Sequence, residues 1–465
     1  MPVFRAHDAA SDDSYPIPTP LSWTPVSSRA SSRTLAEPYT ILPKEKRQEK
    51  LKQVTNATVD ARETITISGV TLTPTVVFDT FWKFAAERKA LDDRRRAGGP
   101  WPWTEDPILQ SYFFCNTFRV LDKQSQYIIR EVIEKGSQKP EEVAFRVILY
   151  NLFTRIETWE LLRDEVGPLE WAKYNRNKYV AVLREAKDAG KPLYTGAFQK
   201  PAPKFEHSAG YVNHLILLEV FMDNELHKKC ISAWNMADVY EWLVSFPSMG
   251  EFSTYQLMLN LSYSKVLNFH RNDFVVPGPG ASSGLTKMFG KSAMAAAISA
   301  NPDFEVEAIR WLTDNQKYHF ERLGLEPPVL GPQKLPMDVA DIEHTLCEVD
   351  KYSREAHPSF KGKRKELWRK YETRTSLPKA VFPKAWKHPA RNTPRIRENK
   401  RLVVEKRYSV SRIKTHRDTK NGREYLVHWW GYPDSDDTWE PEATLEDDAK
   451  GAVEDYRAKL KGKGK

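Results

Sequence analysis

Apolar residues recur at helical spacing along most of the chain. In residues 78–96, FDTFWKFAAERKALDDRRR, the apolar positions Phe78, Phe81, Trp82 and Ala85 share one helix face, with charged residues opposite. Similar patterns occupy 168–189, 209–228, 234–246, 252–269, 302–323 and 337–355. We therefore predict that residues 75–360 form a mainly α domain, built as one unit or as two tightly joined lobes.

The pattern changes on both sides of this region. Residues 361–402 lack periodicity and contain four prolines, which predicts a linker. From Val403 apolar and polar residues alternate around Asn421-Gly422, a two-residue hairpin signal, and a short helical pattern follows. We predict a small sheet of two or three strands with a C-terminal helix over 403–460. Residues 1–60, rich in Ser, Pro, Thr and Ala, are expected to be a disordered tail.

The distribution of charge points to a polyanionic partner. The chain has 71 Lys and Arg against 62 Asp and Glu, but residues 361–407 alone hold 17 basic and 4 acidic residues. Such a block is typical of a segment that contacts nucleic acid, and the alternative is a solvated basic linker. Among 465 residues no window of about 18 is free of charge, so no membrane contact is expected.

Cysteine usage and motif spacing exclude several kinds of site. Cys115, Cys230 and Cys347 lie more than a hundred residues apart, which excludes a disulfide framework and a CxxC metal site and predicts a reducing compartment. The histidines show no zinc-protease or zinc-deaminase spacing. No metal site is predicted and no cofactor is evident.

The C-terminal segment RYSVSRIKTHRDTKNGREYLVHWWGYPDSDDTWEPEATL resembles a chromodomain over its whole length. The resemblance implies binding of a methylated histone tail in the nucleus, with Tyr408, Trp429 and Tyr432 as the aromatic cage and Asp436 beside it. Three aromatic faces suit a methylated ammonium, which keeps its charge and is weakly hydrated. The alternative is that these aromatics belong to the core of the module, where we expect Trp439.

The helical region resembles the helical domain of 5-hydroxymethyluridine DNA kinases and the related α-glutamyl/putrescinyl thymine pyrophosphorylases. The motifs are PWPWTEDPILQSYFFCNTFRVLD, FRVILYNLFTRIETWELL, GEFSTYQLMLNLSYS, VVPGPGASSGLTKMF and DIEHTLCEVDKYSR. The resemblance implies DNA-base hypermodification and a helix-hairpin-helix, glycosylase-like fold with a groove that faces DNA.

Several residues of these motifs are candidates for contact with DNA. In VVPGPG a hairpin with Gly278 and Gly280 at positive φ would bring backbone N–H groups to a phosphate, with Lys287 adding charge. The alternative is an ordinary connection between helices. Tyr255 and Gln256 are predicted to read or stack on a flipped base, or else to pack and cap. Arg155, in a largely apolar helix, is a further candidate.

Asp341 and Glu348 are the candidate catalytic pair. On a helix they share a face with Thr345 and Tyr352, and two carboxylates on one face suit acid–base chemistry, although they also suit a solvated acidic face. GPGASSGLTK lacks the Lys of a Walker A motif, so this polypeptide is not expected to be an ATP-dependent kinase on its own. The resulting prediction is a chromatin-targeted DNA-binding protein with base-modifying activity. The alternatives are a non-enzymatic reader of DNA and a domesticated mobile-element protein.

Overall fold

The computed structural model describes residues 63–196, 200–205, 207–360, 367, 375–397, 410–429, 432 and 434–462. The predicted N-terminal tail lies outside the described residues. As predicted, the protein is mainly helical, with a small antiparallel sheet near its C-terminus. No helix in the described ranges is both long and apolar enough to cross a membrane.

A short hairpin precedes the helical region. Strands β1 (Ile65–Ile67) and β2 (Val70–Leu72) pair antiparallel. The helices that follow are α1 (Val76–Arg96), α2 (Pro107–Ser111), α3 (Lys123–Tyr127), α4 (Pro140–Phe153), α5 (Ile156–Val166), α6 (Arg176–Asp188), α7 (Gly210–Asp223), α8 (Leu226–Ser232), α9 (Met236–Val244), α10 (Glu251–Leu261), α11 (Pro279–Phe289), α12 (Lys291–Ala300), α13 (Phe304–Arg322) and α14 (Val339–Ala356). A single turn of π-helix, Ile128–Ile133, continues α3.

Local signals set the ends of these helices. Thr75 caps α1 by accepting a hydrogen bond from the Val77 N–H, and Pro140 occupies the first turn of α4, where its missing N–H costs no hydrogen bond. A capping box between Asp338 and Asp341 starts α14. The helix predicted over 252–269 ends at Leu261, where the chain continues in turns.

Helices α11 and α14 pack with their backbones in close contact. A methyl group on Gly284 would lie 2.5 Å from the carbonyl oxygen of Leu346, and one on Gly280 would overlap the Cys347 sulfur. Gly280 and Gly284 are four residues apart, so both lie on the face of α11 that meets α14. The two glycines are therefore required by packing between helices.

The described part of the predicted linker, residues 375–397, is docked on the helical region. Val381 and Gln126 exchange two hydrogen bonds of 2.9 and 3.0 Å. Arg391 donates to the carbonyls of Ser262, Ser264 and Leu267 at 2.7 to 3.1 Å. The described part of the basic linker predicted over 361–402 therefore packs on the protein itself, and the contact of this segment with a polyanion stays a prediction.

The C-terminal module is a three-stranded antiparallel sheet with helices. Strands β3 (Val410–Thr419), β4 (Gly422–Trp429) and β5 (Thr438–Pro441) lie in that order, and α15 (Glu442–Asp448) and α16 (Lys450–Gly462) follow. Asn421-Gly422 forms the predicted turn, with Gly422 at φ 111°. Among the described residues of this module the buried core consists of Ile413, Tyr425, Val427, Leu445 and Val453.

Candidate functional site

One face of α14 binds the irregular segment 106–122, which runs from the start of α2 to α3. The Asp341 carboxylate accepts a hydrogen bond of 2.9 Å from the Arg119 N–H, and Glu348 accepts one of 2.9 Å from the Cys115 N–H. Both carboxylates are at least 94% buried. The predicted shared face is therefore present, and it supplies acceptors to a segment whose backbone has few helical partners.

The other members of that face contact the same segment. The Tyr352 hydroxyl donates to Asp106 at 2.6 Å, and the Thr345 hydroxyl lies 3.5 Å from the Thr117 carbonyl. Burial, and then the nearby Asp338, raise the pKa of Asp341 well above its usual value. These contacts give Asp341 and Glu348 structural partners, and the catalytic role of the pair stays a prediction.

A histidine–carboxylate pair lies beside this face. His344 Nε2 is 3.1 Å from Asp122 Oδ2, and Asp122 Oδ1 accepts the Asn116 N–H at 2.7 Å. Burial opposes ionisation of Asp122, but the hydrogen bond and charge interaction with His344 lower its pKa. No ion pair joins Arg119 to Asp122 within the described part of the chain, and the ionic partner of Asp122 there is His344.

Arg119 reaches across to α10. Its Nη2 donates to the side-chain oxygen of Gln256, which is 7% exposed. The neighbouring Tyr255 is 1% exposed, and burial and then Glu343 raise the pKa of its hydroxyl well above the usual value. Gln256 thus orients a guanidinium inside the helical domain. Stacking of Tyr255 on a base would need this buried ring to become accessible.

The Lys200 amine lies near Arg119 in the helical domain. Its Nζ donates to both the backbone and side-chain oxygens of Asn151, at the C-terminal end of α4. Burial, and then the charge of Arg119, lower the pKa of Lys200 to about 7. Burial, and then the charge of the nearby Lys200, lower the pKa of His214 to about 4. A lysine with this pKa is half neutral near pH 7.

The hairpin before α11 does not have the predicted conformation. Gly278 has φ −78° and Gly280 lies within α11, so neither residue takes positive φ. The Gly278 N–H donates to Glu343 Oε1 at 3.0 Å. A carboxylate of the protein therefore binds the N–H that the sequence assigned to a phosphate, and Gly280 serves close packing instead.

Lys287 is also placed differently from its prediction. It is 5% exposed, and its Nζ lies 2.7 Å from the carbonyl and 3.0 Å from the carboxylate of Asp350. A buried, paired ammonium does not fit contact with a phosphate. Arg155 is the N-cap residue of α5 and lies 3.3 Å from Glu157, and its DNA contact stays a prediction.

In the C-terminal module, Trp429 and Tyr432 lie at the end of β4. Trp429 is half-buried at the edge of the core and donates from Nε1 to the Thr438 hydroxyl at 2.9 Å. Tyr432 is half-buried and Asp436 is exposed, while Tyr408 lies outside the described residues. The core prediction for Trp439 is wrong, because this ring is half-buried outside the core and stacks under Arg417 at 4.2 Å.

Comparisons with known proteins assign both regions. Residues 75–362 match the family described as 5-hmdU DNA kinase, helical domain. The chain belongs to this family. Residues 408–459 match the Chromo (chromatin organisation modifier) domain, so the chain also carries a C-terminal chromodomain.

Two curated relatives show the same division. The 5-hmdU DNA kinase of Bacillus phage SP10 is 24% identical over 298 residues, which cover 59% of this chain and 45% of the phage protein. Heterochromatin protein 1 of Drosophila melanogaster is 38% identical over 61 residues, which cover 13% of this chain and 29% of that protein. The chain thus spans less than half the length of either relative. No solved structure matches it.

Within the 5-hmdU DNA kinase helical domain, sequence reasoning left Lys200, His344 and Cys115 out of the candidate site. His344 and Cys115 lie inside the quoted motifs DIEHTLCEVDKYSR and FFCNTFRVLD, which was the available signal. Lys200 follows Gln199 in a segment without periodicity, and no local pattern distinguishes it from the other lysines.

Proposed function

We propose that this protein is a nuclear, chromatin-targeted DNA-binding protein whose helical domain acts on a hydroxymethylated pyrimidine in DNA. The observation that carries the proposal is the union, in one chain, of a 5-hmdU DNA kinase helical domain and a chromodomain. One region is related to an enzyme named for a modified DNA base, and the other to a chromatin protein.

The interior of the helical domain supports chemistry on a base. Lys200, Arg119 and His214 are nitrogen groups that lie near one another, and a pyrimidine presents carbonyl oxygens that accept hydrogen bonds from such donors. At pH 7 and above, the neutral Lys200 amine can accept a proton from a hydroxyl group, as a general base does. Asn151 holds the amine by two neutral oxygens, so a large part of its basicity remains for a substrate.

The chromodomain supports targeting to a methylated histone tail. Trp429 at the end of β4 and Tyr432 three residues later are half-buried aromatics, and Asp436, four residues further on, is exposed. A methylated ammonium binds aromatic faces through their quadrupoles and is favoured by a nearby carboxylate. Linking two modules of modest affinity raises the effective concentration of each at its own site.

Nucleoside analysis tests the proposed chemistry. We expect DNA that contains 5-hydroxymethyluracil to yield a new nucleoside when it is incubated with the protein and a protein-free nuclear extract, which supplies the donor of the group that replaces the hydroxyl proton. Mass spectrometry after digestion detects the product. Lys200→Met should remove the product, because a thioether accepts no proton, whereas Lys204→Met changes an exposed lysine of the same segment and should not. Binding of the modified duplex without any product would support the non-enzymatic reader instead.

A peptide titration tests targeting. Trp429→Ala should weaken binding of a trimethyl-lysine histone peptide by about 5- to 30-fold, because a cage wall contributes roughly 1–2 kcal/mol. Trp439→Ala is the matched control, since it removes an aromatic of the same module that stacks on Arg417. Equal affinities of both variants and the unchanged protein, at unchanged melting temperature, would exclude the cage.

A further inference from the structure

Three potential metal ligands meet between segment 106–122 and α14. The sulfur of Cys115, a carboxylate oxygen of Asp122 and a ring nitrogen of His344 all lie within 4.8 Å of one another. Thiolate, imidazole and carboxylate are the ligand types that bind Zn²⁺ in proteins. Three protein ligands with a fourth position left open form the arrangement of zinc sites that bind a further molecule.

The spacing fits a small tetrahedral ion. With bonds of about 2.0 Å to nitrogen and oxygen and about 2.3 Å to sulfur, a tetrahedral Zn²⁺ holds its ligand atoms roughly 3.3–3.6 Å apart. The Asp122 and His344 atoms are 3.1 Å apart, close to that value. The sulfur, within 4.8 Å of both, would need to move inward by at most about 1.5 Å, a distance of the size that a change of one side-chain torsion produces.

The surroundings orient these ligands. Asp122 Oδ1 accepts the Asn116 N–H, which leaves Oδ2 to face His344. The Cys115 backbone is fixed by its hydrogen bond to Glu348, and His344 lies in the middle of α14. Contacts of this kind, one shell outside the ligands, are typical of metal sites because they hold each ligand in its binding orientation.

The local charges balance when a divalent ion is present. A Cys115 thiolate and the Asp122 carboxylate together neutralise a 2+ ion. Around them, the cations Arg119 and Lys351 are matched by the anions Glu343 and Glu348, whose charges act on these same groups. The occupied site itself would therefore carry no net charge. Burial, and then the charge of Glu348, raise the pKa of the Cys115 thiol well above its usual value, so the ion would have to displace the thiol proton.

We propose that Cys115, Asp122 and His344 bind one Zn²⁺ or a similar divalent ion. When bound, the ion would supply a Lewis acid with an open coordination position. A second set of ligands, His428 with Asp434 and Asp437 in the chromodomain, does not support the same inference. There the Lys414 ammonium lies 2.8 and 2.5 Å from the two carboxylates and already provides the positive charge.

Cobalt substitution tests the proposal without reference to turnover. The full-length protein is stripped of metal with a chelator and titrated with Co²⁺, whose bond to a thiolate gives a charge-transfer band in the near ultraviolet. We expect one equivalent of Co²⁺ to produce this band, and Zn²⁺ to remove it by competition. Cys115→Ser should abolish the band, and His344→Gln should weaken Co²⁺ binding by at least about 10-fold.

Matched variants separate this site from other thiols and histidines. Cys230→Ser removes a buried cysteine of α8, and His428→Asn removes the histidine of the second ligand set, so both should keep the band. Absence of a band in the unchanged protein, or its persistence in Cys115→Ser, would overturn the proposal. If Cys115→Ser fails to fold, His344→Gln still tests the proposal, because this variant keeps the thiol. An undiminished Co²⁺ affinity of His344→Gln would also overturn the proposal.

Discussion

Motif residues of the helical domain and of the chromodomain differ in what they contact. On α14, Asp341 and Glu348 are buried and bind backbone N–H groups of segment 106–122. In the chromodomain, Trp429 packs at the edge of the buried core, Tyr432 is half-buried and Asp436 is exposed. A large helical domain must satisfy many interior polar groups, and it uses its motif residues to do so. A small module leaves its motif residues at the surface.

The close contact of α11 with α14 gives the largest expected effect on the helical side of this comparison. Gly284→Ala should lower the free energy of unfolding by roughly 3 kcal/mol or more, because the new methyl group meets the Leu346 carbonyl, which cannot move without the helix. Chemical denaturation measures the loss. Gly451→Ala, at an open position of α16, should stabilise the chromodomain by up to about 1 kcal/mol. Equal effects of both changes would contradict the packing argument.

The dependence of stability on pH tests whether burial lowers the pKa of Lys200 in the helical domain. Its folded pKa of about 7 lies below the ordinary value of 10.5, so from pH 7 to 10.5 the unfolded chain binds more protons and stability rises with pH. Below pH 7 the amine is protonated in both the folded and the unfolded chain, so the full free-energy cost of burying its charge lowers the stability. Lys200→Met should therefore stabilise the protein at pH 6 by roughly 2–3 kcal/mol, after loss of the Asn151 hydrogen bonds.

The measurement for Lys200 is stability against pH, by denaturant titration from pH 6 to 10. The variant should lose the rise that the unchanged protein shows above pH 7. Lys204→Met, an exposed neighbour, should leave the curve unchanged. Parallel curves for the unchanged protein and Lys200→Met would show that this amine is not perturbed.

Substitutions of Asp341 distinguish a structural role of this α14 carboxylate from a catalytic one. Asp341→Ala should cost about 2 kcal/mol of stability, because the Arg119 and Asp338 N–H groups lose their acceptor. Glu321→Ala, on the exposed side of α13, is the control and should cost almost nothing. If Asp341 acts on a base, Asp341→Asn should remove turnover at an almost unchanged melting temperature.

The smallest effect is expected at the surface of the chromodomain. Arg417 stacks on Trp439 at 4.2 Å and also pairs with the exposed side of β4 through Glu424. Arg417→Ala should lower stability by only about 0.5–1 kcal/mol, because exposed pairs of this kind are solvated in both states. Thermal melting checks this value. A loss as large as that of Gly284→Ala would mean that surface contacts, and not the five-residue core, hold this module together.

Much of the fold was predictable because it depends on local patterns. Helical spacing located α7, α9, α13 and α14 to within a few residues, and Asn421-Gly422 marked a hairpin turn. Residues 375–397 were not predictable in this way. Pro, Lys and Arg without periodicity are typical of a linker, and only the carbonyls of Ser262, Ser264 and Leu267 show what Arg391 binds.

In the candidate site, too, features that depend on local spacing were predictable and contacts between distant residues were not. The sequence alone placed Asp341, Thr345, Glu348 and Tyr352 on one helix face, since helical geometry follows from spacing. It also identified Trp429 and Tyr432 within a family motif. It could not show that Gly278 donates to Glu343 or that Lys287 is buried against Asp350, since these partners are more than sixty residues apart.

The sequence by itself determined the helical periods, the hairpin turn, the two families and the placing of basic charge. Only the tertiary structure shows which polar groups form hydrogen bonds or ion pairs with other groups of the protein. It brought Cys115 and Asp122 to His344 over more than two hundred residues, and Lys200 to Asn151 and Arg119. The physical reason is that burial sets the energy of a charge or a hydrogen bond, and burial depends on which distant elements pack together.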